Sequence, residues 1–189
     1  EALGIEGLRA LHATVAHIRD VAPQVQILGD GKRGDIASTN VRYARALFEV
    51  WDFDAATVNA YAGGESLQPF LDHTDKGVFV WCRSSNRGAE ELQDLRLSDH
   101  GETATLYEWM ATRAVQWNTR GNVGLVVGAT YPKELERVRA LSPGMPILIP
   151  GVGAQSGELE GSVRAGLDAD VPNILISSSR GITYASRDK

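Results

Sequence analysis

Six short apolar runs, each followed by a stretch of helical periodicity, alternate along this 189-residue chain. The runs end near Asp30, Asn59, Ser84, Gly128, Pro150 and Ser178. Between them lie stretches with helical spacing, carrying Tyr43 to Trp51, Leu67 to Leu71, Leu106 to Trp117, Leu135 to Leu141 and Leu159 to Leu167. Strict alternation of this kind predicts a parallel sheet backed by helices, the α/β class. A doubly wound sheet and a (β/α)8 barrel both satisfy the spacing. A dinucleotide-type sheet places its glycines after the first strand, whereas here Gly151 and Gly153 follow a late one, where barrels hold phosphate. The pattern therefore favours the (β/α)8 barrel. An opening amphipathic helix is expected over Leu3 to Val21, through Leu8, Leu11, Val15 and Ile18. No linker or low-complexity segment interrupts the alternation, so residues 1–189 read as one barrel domain.

Composition narrows the functional classes. A net charge of -5 and a pI near 5.4 argue against a broad nucleic-acid surface, while leaving room for a local basic pocket. The single cysteine, Cys82, ends the apolar run Gly77-Val78-Phe79-Val80-Trp81; it reads as a buried strand thiol, and a disulfide framework is excluded. No stretch approaches the about 20 apolar residues that cross a bilayer, and the start does not resemble a signal peptide, so the expected location is the cytoplasm. His12, His17, His73 and His100 show no metal-ligand spacing and read as surface or capping residues.

The first candidate site is Asp30-Gly31-Lys32-Arg33-Gly34-Asp35, which follows Val25-Gln26-Ile27-Leu28 directly. In an extended chain alternate side chains share a face, so Asp30 and Lys32 are expected to point the same way, with Asp35 on the turn toward the next helix. An isolated pattern of this type fits a solvated turn. Here Ser38, Thr39 and Asn40, helix-capping types, come next, followed by Val41, Ala44, Leu47, Phe48 and Trp51 at helical spacing. Loops between a strand's C-terminal end and a helix are where α/β folds build their sites.

The second candidate region comprises Pro150-Gly151-Val152-Gly153-Ala154-Gln155 and Ser178-Ser179-Arg180-Gly181. Glycines let backbone N–H groups approach an anion, and a guanidinium offers a planar fork matched to phosphate oxygens. A third loop, Ser84-Ser85-Asn86-Arg87-Gly88, carries groups suited to a polar ring, and capping of the following helix explains it equally well.

Together these segments, with Thr57-Val58-Asn59, Cys82-Arg83-Ser84-Ser85-Asn86 and Gly121-Asn122-Val123-Gly124-Leu125-Val126-Val127-Gly128-Ala129-Thr130, resemble orotidine 5'-phosphate decarboxylase, in the branch with D-A-K-R-G-D-I and V-G-A-T signatures. The resemblance spans essentially the whole chain. It implies a (β/α)8 barrel, a homodimer, no metal and no organic cofactor, and conversion of orotidine 5'-phosphate to UMP and CO2 in pyrimidine biosynthesis. By the same resemblance Lys32 matches the catalytic lysine and Asp30 the carboxylate beside it. Asp35 and Thr39 match residues that cross into the neighbouring subunit's site. Ser85 matches a contact to the pyrimidine edge, and Gln155 and Arg180 match phosphate contacts. Gly151 and Gly153 shape the phosphate loop, and Asn59 and Gly181 complete the implied substrate-binding set.

The chemistry accounts for these residue types. Loss of the carboxylate from C6 leaves an in-plane carbanion that the ring's π system delocalises poorly. A lysine ammonium in a water-poor site stabilises that charge and can deliver the proton. Gly31, Ala60, Arg87 and Ser177 depart from residues usual in the family, and none of them is a catalytic group. The resemblance further implies that the first two strands and the closing helix of the barrel are absent from these 189 residues, so that the chain alone is a poor enzyme. Two alternatives stand beside it: a metal-dependent sugar-phosphate lyase or aldolase of the same superfamily, and an inactive phosphate-binding fragment.

Overall fold

The structure, a computed structural model, describes residues 2–98, 104–152, 159–168 and 171–186. It divides into two compact units, Glu1–Val78 and Phe79–Lys189.

The first unit opens with α1 (Gly4–Val21) and continues through β1 (Leu28–Arg33), α2 (Ala37–Arg45), a π-helical turn (Ala46–Val50), β2 (Ala55–Val58) and α3 (Gly64–Leu71). The opening helix forms as expected, but of its apolar stripe only Val15 is fully buried, and Leu8 and Leu11 remain exposed. Its last turn is anchored by Arg19, which donates to the Asp52 carbonyl at 2.6 Å and pairs with Asp54 at 2.9 Å. Asp54 in turn accepts the Ile27 N–H at 2.7 Å, fixing the entry to β1. Strands β1 and β2 are parallel, and Ala56, Val58, Leu67, Phe70, Phe48 and Ala44 form the core beside them. Phe48 meets Phe70 edge-on at 6.5 Å and packs on the half-buried His73 ring at 5.1 Å. Burying side chains of this size contributes roughly 1.5–3 kcal/mol each.

Ser38, Thr39 and Asn40 do not cap the second helix. They lie inside it, and its N-cap is Ile36, with no side-chain cap. Asn40 is instead fully buried, and its amide donates to the carbonyls of Asp35 at 2.8 Å and Ser66 at 2.7 Å. One side chain thus ties the loop after β1 to the helix after β2.

The second unit takes in β3 (Gly77–Arg83) from Phe79 onward, a 3-10 turn (Arg87–Ala89), α4 (Glu90–Gln93), β4 (Arg96–Leu97), β5 (Ala104–Thr105), α5 (Leu106–Trp117), β6 (Val123–Val127), α6 (Pro132–Leu141), β7 (Ile147–Pro150), α7 (Leu159–Gly166), β8 (Ile174–Ser177) and α8 (Arg180–Thr183). Strands β3, β6, β7 and β8 are neighbours in that order, with β6, β7 and β8 parallel. The β6 run Val123-Gly124-Leu125-Val126-Val127 is buried throughout, as continuous apolar strands must be. The antiparallel pair β4–β5 was not legible in the sequence, because two-residue strands carry no periodicity. It leads into α5, whose Thr105 and Glu108 form a capping box. Burial would raise the Glu108 carboxyl, but hydrogen bonds from the Thr105 backbone and from Arg137 outweigh it and hold the group below its ordinary range.

Candidate active site

Strand β1 does not end near Asp30, as its apolar run suggested, but continues through the charged residues to Arg33. The pairing shows how. Gly29 is partnered with Ala56 and Arg33 with Val58, so Asp30, Gly31 and Lys32 on β1 stand opposite Thr57 alone on β2. This bulge replaces the alternation expected between Asp30 and Lys32. Lys32 sits at φ 44, left-handed and costly for a residue with a side chain, by about 1–3 kcal/mol.

The bulge nevertheless brings the two expected charges together. The Lys32 ammonium donates to Asp30 Oδ1 at 2.6 Å. The Thr57 hydroxyl donates to the same oxygen at 2.8 Å and accepts the Lys32 backbone N–H at 2.9 Å. Thr57 is fully buried, whereas the Lys32 and Asp30 side chains are 33% and 56% exposed. An ion pair that open contributes little stability, on the order of 0–1 kcal/mol, less than the strained backbone costs. The pairing of β1 with β2 before and after the bulge holds the geometry, and the result is an ammonium group presented at a strand end with carboxylate and hydroxyl oxygens behind it. Such a group can stabilise developing negative charge and give up a proton. In the sequence Thr57 is merely a lone hydroxyl inside the apolar run Ala55-Ala56-Thr57-Val58; the structure adds it to the site.

The remaining candidates of this unit lie just beyond β1 and β2 along the chain. The Asn59 N–H donates to the Arg33 carbonyl at 2.8 Å, and a Cβ on Gly34 would lie 2.1 Å from the Asn59 carbonyl oxygen. Asp35 is exposed and its carboxylate accepts the Ile36 N–H at 2.7 Å. Thr39, half-buried, lies in the first turn of α2.

In the second unit, Ser85 lies just beyond β3 and is held from two sides. Its carbonyl accepts the Thr130 hydroxyl at 2.9 Å, and the Tyr131 hydroxyl donates to the next residue's carbonyl, Asn86, at 3.2 Å. On the other side Gln93 Oε1 accepts the Ser84 N–H at 2.8 Å and the Arg83 guanidinium at 3.2 Å. Arg83 is fully buried, pairs with Asp94 at 3.1 Å, and lies 4.1 Å from the centroid of the Tyr131 ring. Helix capping does not explain this loop: the turn that follows has Asn86 as its N-cap with no side-chain cap. The Ser84 hydroxyl donates to the Asn86 side chain instead. Cys82 is buried, as expected.

Gly151, directly after β7, adopts φ 95, a conformation only glycine adopts without strain. Gly153 and Gln155 lie outside the described residues. Arg180 and Gly181 open the short helix α8 rather than lying in a loop, and both are exposed.

A family model described as orotidine 5'-phosphate decarboxylase / HUMPS family matches residues 3–189. A Thermomicrobium roseum protein named orotidine 5'-phosphate decarboxylase is 52% identical over 183 residues, covering 96% of this chain and 63% of its own length. The chain thus spans less than two thirds of that relative. A solved structure of Leishmania donovani UMP synthase aligns with TM-score 0.90 and 47% identity over 97% of this chain and 40% of its own. The Leishmania donovani OMP decarboxylase structure aligns with TM-score 0.88 and 44% identity, covering 100% of this chain and 70% of its own. Agreement at that level fixes the fold class expected from the alternation: α/β, built from the repeating units of a (β/α)8 barrel.

Proposed function

The chain belongs to the orotidine 5'-phosphate decarboxylase / HUMPS family, and from that premise we propose that it carries the catalytic machinery of an orotidine 5'-phosphate decarboxylase. The substrate is orotidine 5'-phosphate and the products are UMP and CO2. The observation that carries this reading is the Lys32 ammonium held 2.6 Å from Asp30 at the end of β1. Decarboxylation at C6 leaves an electron pair in the ring plane, and Lys32 stabilises it electrostatically and then donates the proton there. Asp30 and Asp35 hold and aim the ammonium. Ser85 reads the pyrimidine edge, while Gln155, Arg180, Gly181 and the glycines at 151 and 153 grip the phosphate. That distant grip supplies binding energy to the reacting end. Asn59 and Thr39 complete the substrate contacts, and Asp35 and Thr39 act across a homodimer interface into the neighbouring site. The protein works in the cytoplasm without metal or organic cofactor; among the described residues no helix is long and apolar enough to cross a membrane.

The decarboxylase names of the relatives favour this reading over a metal-dependent sugar-phosphate lyase. The test is UMP formation from orotidine 5'-phosphate, in the presence of a chelator, by purified protein that includes the flanking sequence its relatives carry beyond these residues. Lys32→Ala is expected to abolish turnover while UMP still binds. Near-parental turnover by a folded Lys32→Ala protein, or activity that the chelator removes, overturns the proposal.

A further inference from the structure

We propose that Thr57 is a positioning residue for Lys32: from its buried place on β2 its hydroxyl fastens both the Lys32 backbone and the Asp30 carboxylate, setting the direction of the ammonium. This deepens the decarboxylase reading and rests on it.

Three observations carry the assignment. Thr57 is the lone β2 residue opposite the three-residue excursion Asp30-Gly31-Lys32. Its single hydroxyl is used in both directions, accepting the Lys32 N–H at 2.9 Å and donating to Asp30 Oδ1 at 2.8 Å. That same Oδ1 receives the Lys32 ammonium at 2.6 Å. A closed loop of three hydrogen bonds therefore runs from the Lys32 backbone through Thr57 and Asp30 to the tip of the Lys32 side chain. Since Lys32 occupies a left-handed conformation, something must hold its amide there, and the Thr57 oxygen is the acceptor that does so. A side chain that packed only for shape would need no hydroxyl, and valine would serve at this fully buried position as well as threonine.

The experiment compares Thr57→Val, which keeps the shape and removes the hydroxyl, with Thr57→Ser, which keeps the hydroxyl. Two quantities are read on the purified protein: kcat and KM for orotidine 5'-phosphate, and hydrogen exchange at the Lys32 amide. The Asn59 amide, bonded to the Arg33 carbonyl, serves as a control. Thr57→Val is expected to lower kcat about 10- to 100-fold with KM within about threefold, because the reacting group is misplaced while the phosphate grip is intact. It is expected to speed exchange at Lys32 by about tenfold and leave the Asn59 amide protected. Thr57→Ser is expected to rescue both quantities.

A Thr57→Val protein with parental kcat and parental Lys32 protection overturns the assignment. So does a Thr57→Ser protein as impaired as Thr57→Val. If the parent protein does not decarboxylate orotidine 5'-phosphate, the functional reading fails by itself, and the exchange comparison still decides whether Thr57 holds Lys32.

Discussion

A Cβ placed on Gly128 would lie 2.6 Å from the Cα of Ser85, so the end of β6 is shaped to let the loop after β3 rest directly on its backbone. The Gly128 N–H donates to the Arg83 carbonyl at 2.8 Å, and the Thr130 hydroxyl, two residues on, donates to the Ser85 carbonyl. The Gly128-Ala129-Thr130 signature thus has a physical meaning: absence of a side chain, then a hydroxyl, together seating one serine.

Gly128→Ala is expected to push the Ser85 backbone outward, since the close atoms are main chain and have no rotamer to retreat to. Overpacking of this kind costs about 1–3 kcal/mol, read as a lower denaturation midpoint. Affinity for UMP should fall in the same protein. Unchanged stability and UMP affinity would show that the loop is not seated as described.

Two glycines within two residues of Lys32 should behave in opposite ways. A Cβ on Gly34 collides with the Asn59 backbone, whereas one on Gly31 meets only the flexible Arg33 side chain at 3.6 Å. Gly34→Ala is expected to destabilise by at least about 1–3 kcal/mol. Gly31→Ala should be neutral or stabilise by about 0.4–1 kcal/mol through the unfolded state. Urea denaturation of both variants checks the contrast, and equal effects would contradict it.

Burial pushes the Cys82 thiol up from 9.0 to about 12, with the neighbouring Arg83 charge opposing. The folded state therefore keeps its proton where the unfolded chain has lost it. Below pH 9 this group does not change stability with pH. Above it stability should fall with rising pH, at roughly 1.4 kcal/mol per unit for this group, until the folded thiol ionises. Cys82→Ala should flatten that part of the pH–stability curve. A curve of identical slope in the variant would remove Cys82 as the cause.

The dimer reading has its own test. Lys32→Ala and Asp35→Ala subunits, each inactive alone, are expected to regain part of the activity when mixed, because one of the two sites then carries both wild-type groups. Subunit exchange is followed independently by mass. Proven exchange without recovery would place Asp35 in its own subunit's site.

The sequence by itself determined the class of fold and the meeting of Asp30 with Lys32. Continuous apolar runs such as Val123–Val127 and Ile147–Ile149, too short for helices and alternating with helical stretches, suit strands buried on both faces of a parallel sheet, so their positions were legible without coordinates. The pairing of Asp30 with Lys32 was legible too, because charge types and spacing are local properties. What the tertiary structure decided was how those charges meet. Strand alternation predicted a shared face, but the register between β1 and β2 produced a bulge instead, and register depends on two segments at once. For the same reason Thr57, Asn40 and Gln93 were invisible as organising residues. Each acts on partners 25, 26 and 9 positions away, and only folding brings a hydroxyl or amide to a backbone group that far along the chain.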